Sequence, residues 1–510
     1  MSASAATPLA NAAAAPQTDD QETSFLGADP GAASTADLPA TVAEETPRAR
    51  VEGGYDAVVV GATIDGLVAA AFLGRAGLKT LLLEAGLPQV TRREFSNGYY
   101  ADDGDFFIRD LNPDVVNTLD LYRHGLCFAQ RRFDTMYYFA DKTALYLSGD
   151  LYAAYQSVAD FDEDEAERFQ AFVVEILDAA HELRPFFAGE AAPKLSRRSA
   201  RLIERYATAS LDFALAREIG DTRLRDLLAA EASFHSSVRP SDPHSFMSLL
   251  RRWSGEAAGL QGGCALASSG YSGVFNALRR AVQVAGVEIR GGADVAAMSV
   301  EWDVAAGVRM TDGGEIRAPI VVNALNAETA FVGQVGPSLI DIEFQRAIRA
   351  PRPHYASAKV HFALLGAPKD DNTRRNLSRR LVYAPDQAQM RRAFRTAREG
   401  GVAPNHLLME IVFPSAFETG WAPENGNLAA GWIYPVPYEP PHDETFRQQL
   451  AKAALNTFSM IVPGARERLD AIDIQLAADM GQSAGLAAHG FGGRAAVLAE
   501  AQRTRAVRTA

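Results

Sequence analysis

Residues 55–66 read Tyr55-Asp56-Ala57-Val58-Val59-Val60-Gly61-Ala62-Thr63-Ile64-Asp65-Gly66, and after a small-residue stretch and Gly77 comes Thr80-Leu81-Leu82-Leu83-Glu84. The apolar run before Gly61 predicts a buried strand. Small residues such as Ala69, Ala70 and Ala71 predict a helix that stops at Gly77, and the second apolar run predicts a parallel strand ending in an acid. Together they form a dinucleotide-binding βαβ unit. In its fingerprint, G-x-G-x-x-G, the first and third glycines are Gly61 and Gly66, but Thr63 occupies the second place.

Each position has its own physical task. Gly61 permits the tight turn out of the strand, and Gly66 lets the helix pack closely on the sheet. The second glycine normally brings a pyrophosphate against the unpaired N–H groups at the helix N-terminus, around Ala62 and Asp65. Thr63 either donates its hydroxyl to a phosphate or pushes the phosphate away with its methyl. Loss of one charge-assisted hydrogen bond there costs roughly 1.5–3 kcal/mol, or about one to two powers of ten in affinity. Glu84 stands where an acid accepts hydrogen bonds from ribose hydroxyls.

A chain of 510 residues exceeds what one core usually serves, and its 47% hydrophobic content supplies ample interior. A formal net charge of -13 argues against a general nucleic-acid binder. No apolar stretch has the length of a membrane span. Cys127 and Cys264 are far apart and lack metal-ligand or C-x-x-C spacing, so they are expected to be ordinary buried thiols of a reducing compartment. This argues against a disulfide reductase built on the same fingerprint. Residues 1–50 are rich in Ala, Thr, Ser and Pro, with no basic residue before Arg48. They read as a disordered acidic tail on a cytoplasmic protein, unlike either a signal peptide or an Arg-rich presequence.

Residues 102–252 read as mostly helical, with Asp221 capping one helix start. A second block begins at Gly270-Tyr271-Ser272-Gly273. It predicts a helix ending at Gly286, a short strand over 287–290, and a hairpin layer over 296–317 around Asp312-Gly313-Gly314. A buried strand follows over 320–324. The alternating runs 357–365 and 407–413 predict an antiparallel sheet, and 472–476 a late strand.

This order of blocks resembles the phytoene desaturase-like group of FAD-dependent oxidoreductases, which share the flavin amine oxidase fold. The resemblance runs from about Tyr55 to the C-terminus and rests on three patches. They are the βαβ unit, the 270–324 block with its hairpin Gly307-Val308-Arg309-Met310-Thr311-Asp312-Gly313-Gly314-Glu315-Ile316, and the closing segment Leu476-Ala477-Ala478-Asp479 with Gly485-Leu486 and Gly492-Gly493-Arg494. It implies an α/β fold: a Rossmann-like FAD-binding domain with a second α+β substrate domain of antiparallel sheet and helices. The expected FAD-binding domain is discontinuous (54–130, 255–335 and 470–505), and 131–254 with 336–469 form the substrate or lid domain. It implies further that Val295 contacts the adenine through its backbone, and that Asp479, Gly485 and Leu486 lie near the pyrophosphate and ribityl chain. The chain departs from the family after Glu84, where Ala85-Gly86-Leu87-Pro88 replaces an Arg and a Gly-Gly pair. It departs again at Ala478, which stands in place of a glycine. These departures fit either an unusual flavoenzyme or a relative with weakened or lost FAD.

No catalytic acid or base stands out. His235, His244, His354 and His361 read first as structural or surface histidines, and His489 lies inside the closing motif. No metal-ligand spacing occurs. The basic residues between Arg374 and Arg398, interleaved with Leu377, Leu381, Met390 and Phe394, read either as a solvated helix face or as a peripheral contact with an anionic membrane. Arg92 and Arg93 are open to the same solvated reading or to a phosphate contact. The expected function is an FAD-dependent oxidoreductase for an apolar, isoprenoid- or carotenoid-like substrate, a class that comes from the resemblance alone. The rivals are a non-catalytic relative kept as a binding or assembly module, and an enzyme using a nicotinamide dinucleotide, against which the Asp479 segment argues.

Overall fold

Ala57–Val60 is a fully buried strand, and its alternating side chains decide the layering. Val59 faces the helices while Val58 and Val60 face a second sheet. This is the computed structural model of the chain. It describes residues 51–476 apart from 86–91, 103, 235, 237, 350–353, 369, 440 and 442, together with residue 479. The strand lies in a parallel sheet of order Glu288–Gly291, Thr80–Glu84, Ala57–Val60, Ile320–Asn323. Helices Ile64–Arg75 and Tyr271–Val284 cover one face through Leu67, Ala70, Ala71, Val274 and Leu278. The other face packs on an antiparallel sheet built from Val295–Glu301, Val304–Met310 and Glu315–Arg317, joined at its edge by Val51–Glu52. Parallel strands with crossover helices are what buried, unalternating apolar runs require.

The larger sheet has the order Leu469–Gln475, Tyr355–Leu365, Gly426–Pro437, Leu408–Val412, Arg380–Ala384, Thr135–Phe139, Ala144–Leu147. Helix Glu444–Ile461 covers one face, where the Phe362 and Phe458 rings stack at 4.1 Å. A layer of helices between 151 and 254 covers part of the other through Phe246, Leu227, Tyr137 and Tyr434.

The expectation of a mostly helical 102–252 is borne out, and short strands that it did not include lie before Leu151. Thr135–Phe139 alternates buried and half-buried residues at period two, and it pairs in parallel with Arg380–Ala384, 245 residues later in the chain by its first-residue register. That partner lies outside the local window in which a strand is recognised. Cys127 is exposed and Cys264 buried, and both are free thiols, so the expectation of two buried thiols holds for one of them. Among the described residues no helix is long and apolar enough to cross a membrane.

Candidate functional site

The βαβ turn forms as the fingerprint requires. Gly61 has φ +97°, where a side chain is strained, and a Cβ on Gly66 would stand 1.9 Å from the Gly61 carbonyl oxygen, so Gly66 admits no side chain without displacing the helix. Thr63 has resolved its two readings in a third way. It is the N-cap of Ile64–Arg75: its hydroxyl accepts the Gly66 N–H at 3.1 Å and donates to the Ala324 carbonyl at 3.4 Å. The hydroxyl therefore turns inward, and one amide of the anion-binding turn is taken by the chain itself. The Leu325 side chain lies over Gly61, 2.8 Å from where a Cβ would be. Ala62 is half-buried, and Asp65 is exposed in the first helical turn.

The adenosine side shows the same pattern. Glu84 is 4% exposed, and both its carboxylate oxygens accept from Arg279 Nη1, at 3.0 and 2.9 Å. Arg279 lies on the helix Tyr271–Val284. The Val295 carbonyl accepts the Gln334 side-chain amide at 3.0 Å, and Gln334 is held in turn by Asn323 Nδ2 at 2.6 Å. The turn and helix thus fit a dinucleotide, while three polar contacts assigned to it from sequence already have internal partners. Asp479 is bound on its own side of the larger sheet: Arg447 pairs with it at 2.9 and 2.8 Å, and it caps the Leu476 N–H. Gly485, Leu486, His489 and His235 lie outside the described residues.

A second polar group, missed at the sequence level, sits on the strand Tyr355–Leu365. Lys359 and His361 are fully buried on one face of it. The Lys359 ammonium donates to the carbonyls of Asp102 and Gly104 and lies 4.6 Å from the centre of the Phe106 ring. Asp102 also receives the Tyr271 N–H at 2.8 Å, which ties this segment to the start of the Tyr271–Val284 helix. His361 Nδ1 is 3.0 Å from Asp473 Oδ2, and Arg93 clamps the same carboxylate at 2.9 and 2.8 Å. Burial works against the Asp473 charge, but His361 and Arg93 hold its carboxyl below the usual range. An ionised carboxylate only accepts, so the ring proton is on Nδ1. Nε2 is then an unprotonated acceptor, buried without a partner, and the Phe95 and Phe106 rings lie 5.8 and 5.7 Å from the imidazole. His361 and Asp473 are cross-strand neighbours, a pairing that sequence separation hides.

Desolvation pushes the His361 ring down to about 4. Unfolded, it takes up a proton near pH 6.5. Between those values the unfolded chain holds more protons, so stability falls as pH drops from 6.5 to 4. The span amounts to roughly 3 kcal/mol. Denaturant titrations at pH 7 and 4.5 should show this loss in the wild type and a smaller one in His361→Gln; equal losses would contradict the assignment.

Between the two sheets and the helical layer runs a buried chain of alternating charges. Asp105 pairs with Arg109 at 2.7 Å, Arg109 with Glu410, Glu410 with Arg380 at 2.8 Å, Arg380 with Glu231 at 2.5 Å, and Glu231 with Arg252 at 3.2 Å. Trp432 Nε1 and Tyr137 Oη add donors to Asp105 and Glu231, both at 2.9 Å. Despite burial, Arg380 and Arg252 hold the Glu231 carboxyl below the usual range.

The basic run divides. Arg380 belongs to this buried chain, whereas Arg391, Arg392, Arg395 and Arg398 are exposed on the helix Gln387–Arg398. Leu381, Met390 and Phe394 are core residues, so they are not available to enter a bilayer. Arg92 stacks on Trp421 at 3.5 Å.

Comparison with known proteins agrees with this architecture. No family profile matches the chain. A mouse protein named pyridine nucleotide-disulfide oxidoreductase domain-containing protein 2 is 23% identical over 489 residues, covering 86% of this chain and 84% of that protein. An oxidoreductase from Methanosarcina mazei superposes with a TM-score of 0.57 at 15% identity, covering 88% and 99% of the two chains. Cyclohexylamine oxidase from Brevibacterium oxydans does so with 0.51 at 14% identity, covering 89% and 99%. The chain thus shares its mixed α/β, Rossmann-like fold with these oxidoreductases.

Proposed function

We propose that the chain is a flavin-dependent oxidoreductase of the desaturase or dehydrogenase kind, acting on an apolar, isoprenoid-like substrate and holding FAD weakly. The observation that carries the reading is the His361–Asp473–Arg93 arrangement beside Lys359, a buried proton acceptor with a fixed tautomer. The turn at Gly61, Ala62, Thr63, Asp65 and Gly66 would take the pyrophosphate, and Glu84 with Val295 the adenosine. Bound flavin supplies a two-electron acceptor for hydride leaving a substrate carbon. Introducing a double bond also releases a proton from the adjacent carbon, and neutral His361 Nε2 is the acceptor this chain offers for it. Asp473 stabilises the imidazolium that results, Arg93 fixes Asp473, and the rings of Phe95 and Phe106 keep water from Nε2. The apolar substrate class rests on family resemblance together with these aromatic walls.

A second reading is favoured by the internal partners of Thr63, Glu84 and Val295: a non-catalytic relative that keeps the fold as a binding or assembly module. Anaerobic mixing of FAD-loaded protein with apolar polyenes separates the two. The oxidised-flavin band should bleach, and His361→Ala should slow the bleaching on the order of a hundredfold. Flavin that binds but stays oxidised with every such substrate would contradict the oxidoreductase reading, and protein that takes up no FAD would establish the second.

A further inference from the structure

Asp226 is 8% exposed, yet among the described residues its carboxylate accepts no hydrogen bond and pairs with no cation. Glu84, Asp105, Glu231, Glu410 and Asp473 each have a cationic partner, since an isolated buried charge is costly. Its neighbour Arg225 is turned away, donating to the carbonyls of Ile219 and Gly220, each at 2.7 Å. The Asp226 side chain instead lines a cavity of about 290 Å³ between the helices Leu211–Glu218, Thr222–Ser233 and Gln387–Arg398. Half-buried Asp212 lines it too, and the apolar wall is Tyr355, Met390 and Phe394. The exposed Arg395 and Arg398 form the rim.

Acids and guanidiniums share the lining: Asp226 is buried, Arg391 opposes Asp212, Arg239 is taken up by Asp242 at 2.7 Å, and Arg395 and Arg398 are exposed. A simple anion would meet the rim and then face two acids. A metal ion is disfavoured because no group of three ligating side chains exists among the described residues. An ammonium ion fits the inner end, where its N–H donors supply what Asp226 lacks. A carboxylate at the other end of the same molecule would meet the rim arginines.

We propose that this cavity binds a small ω-amino acid, its ammonium on Asp226 and Asp212 and its carboxylate toward Arg395 and Arg398. The site is separate from the βαβ turn and does not depend on flavin. Burial, reinforced by Asp386, Asp212 and Asp221, holds the empty Asp226 carboxyl up to about 8. Arg225 opposes that shift, Arg391 and Asp242 act on Asp212, Tyr383 feels the Asp226 charge, and Arg239 and Tyr355 line the same cavity. An ammonium ligand must therefore displace a proton below that pH, so its affinity should rise from pH 6 to pH 8.5.

The test is calorimetric titration of the full chain with 5-aminopentanoate, pentylammonium and pentanoate. The amino acid should bind, pentylammonium should bind more weakly, and pentanoate should not bind. Asp226→Asn should reduce amino-acid binding at least tenfold and flatten its pH dependence. Asp226→Asn removes a carboxyl whose raised folded value makes stability fall as pH climbs from about 4 to 8. It should therefore melt no lower than the wild type at pH 8, which keeps loss of binding distinct from loss of fold. No binding of the amino acid, equal binding by pentanoate, or undiminished binding in Asp226→Asn would overturn the proposal.

Discussion

Glu410→Ala should lower the free energy of unfolding by about 3–5 kcal/mol, the range found when one partner of a buried ion pair is removed. Glu410 is fully buried between Arg109 and Arg380, so its loss takes one of two carboxylate partners from each of two buried guanidiniums at once. The chain it belongs to joins three regions. Asp105 and Arg109 flank the short strand Phe107–Ile108, Glu410 and Arg380 come from the larger sheet, and Glu231 comes from the helical layer. Equilibrium urea unfolding at pH 7 measures the effect. As a control, Asp371→Ala removes an exposed i,i+3 partner of Arg374 and should cost under about 1 kcal/mol. A Glu410→Ala loss as small as the control would show that water or rearrangement compensates the arginines.

The second large effect concerns flavin affinity. Thr63→Gly removes an N-cap and costs the helix about 1 kcal/mol, yet it releases the Gly66 N–H to a phosphate. Gln334→Ala releases the Val295 carbonyl. A restored charge-assisted contact contributes about 1.5–3 kcal/mol and a neutral one about 1. The double variant should therefore bind FAD roughly a hundredfold more tightly than the wild type. Arg279 is a poorer choice, since its removal leaves Glu84 buried without its cation.

The βαβ unit and the hairpin layer were legible because each is local: apolar runs, glycine turns and an Asp-Gly-Gly hairpin lie within a few tens of residues. The partners of the functional side chains were not. Glu84 meets Arg279, 195 residues away, and His361 meets Asp473, 112 away. Nothing in the spacing of those residues marks them, because the register of the sheet and the packing of one helix bring them together. Thr63 was correctly singled out as the odd residue of the fingerprint. Its inward hydroxyl depends on the Ala324 carbonyl, just after the strand Ile320–Asn323 and 261 residues downstream, so sequence alone leaves both of its readings open. Arg380 shows the opposite error, a residue read as part of a solvated or membrane-facing run that proves to be buried, because strand Arg380–Ala384 interrupts the helices around it.

The central claim is that the nucleotide cradle is intact in backbone and already occupied by side chains of the chain itself. It is tested most directly by fluorescence titration of the purified wild type and of Thr63→Gly/Gln334→Ala with FAD. The wild type should come off the column with little flavin and bind it in the micromolar range, and the double variant should bind more tightly. A wild type that retains one FAD per chain, or a double variant that binds more weakly, would contradict the claim.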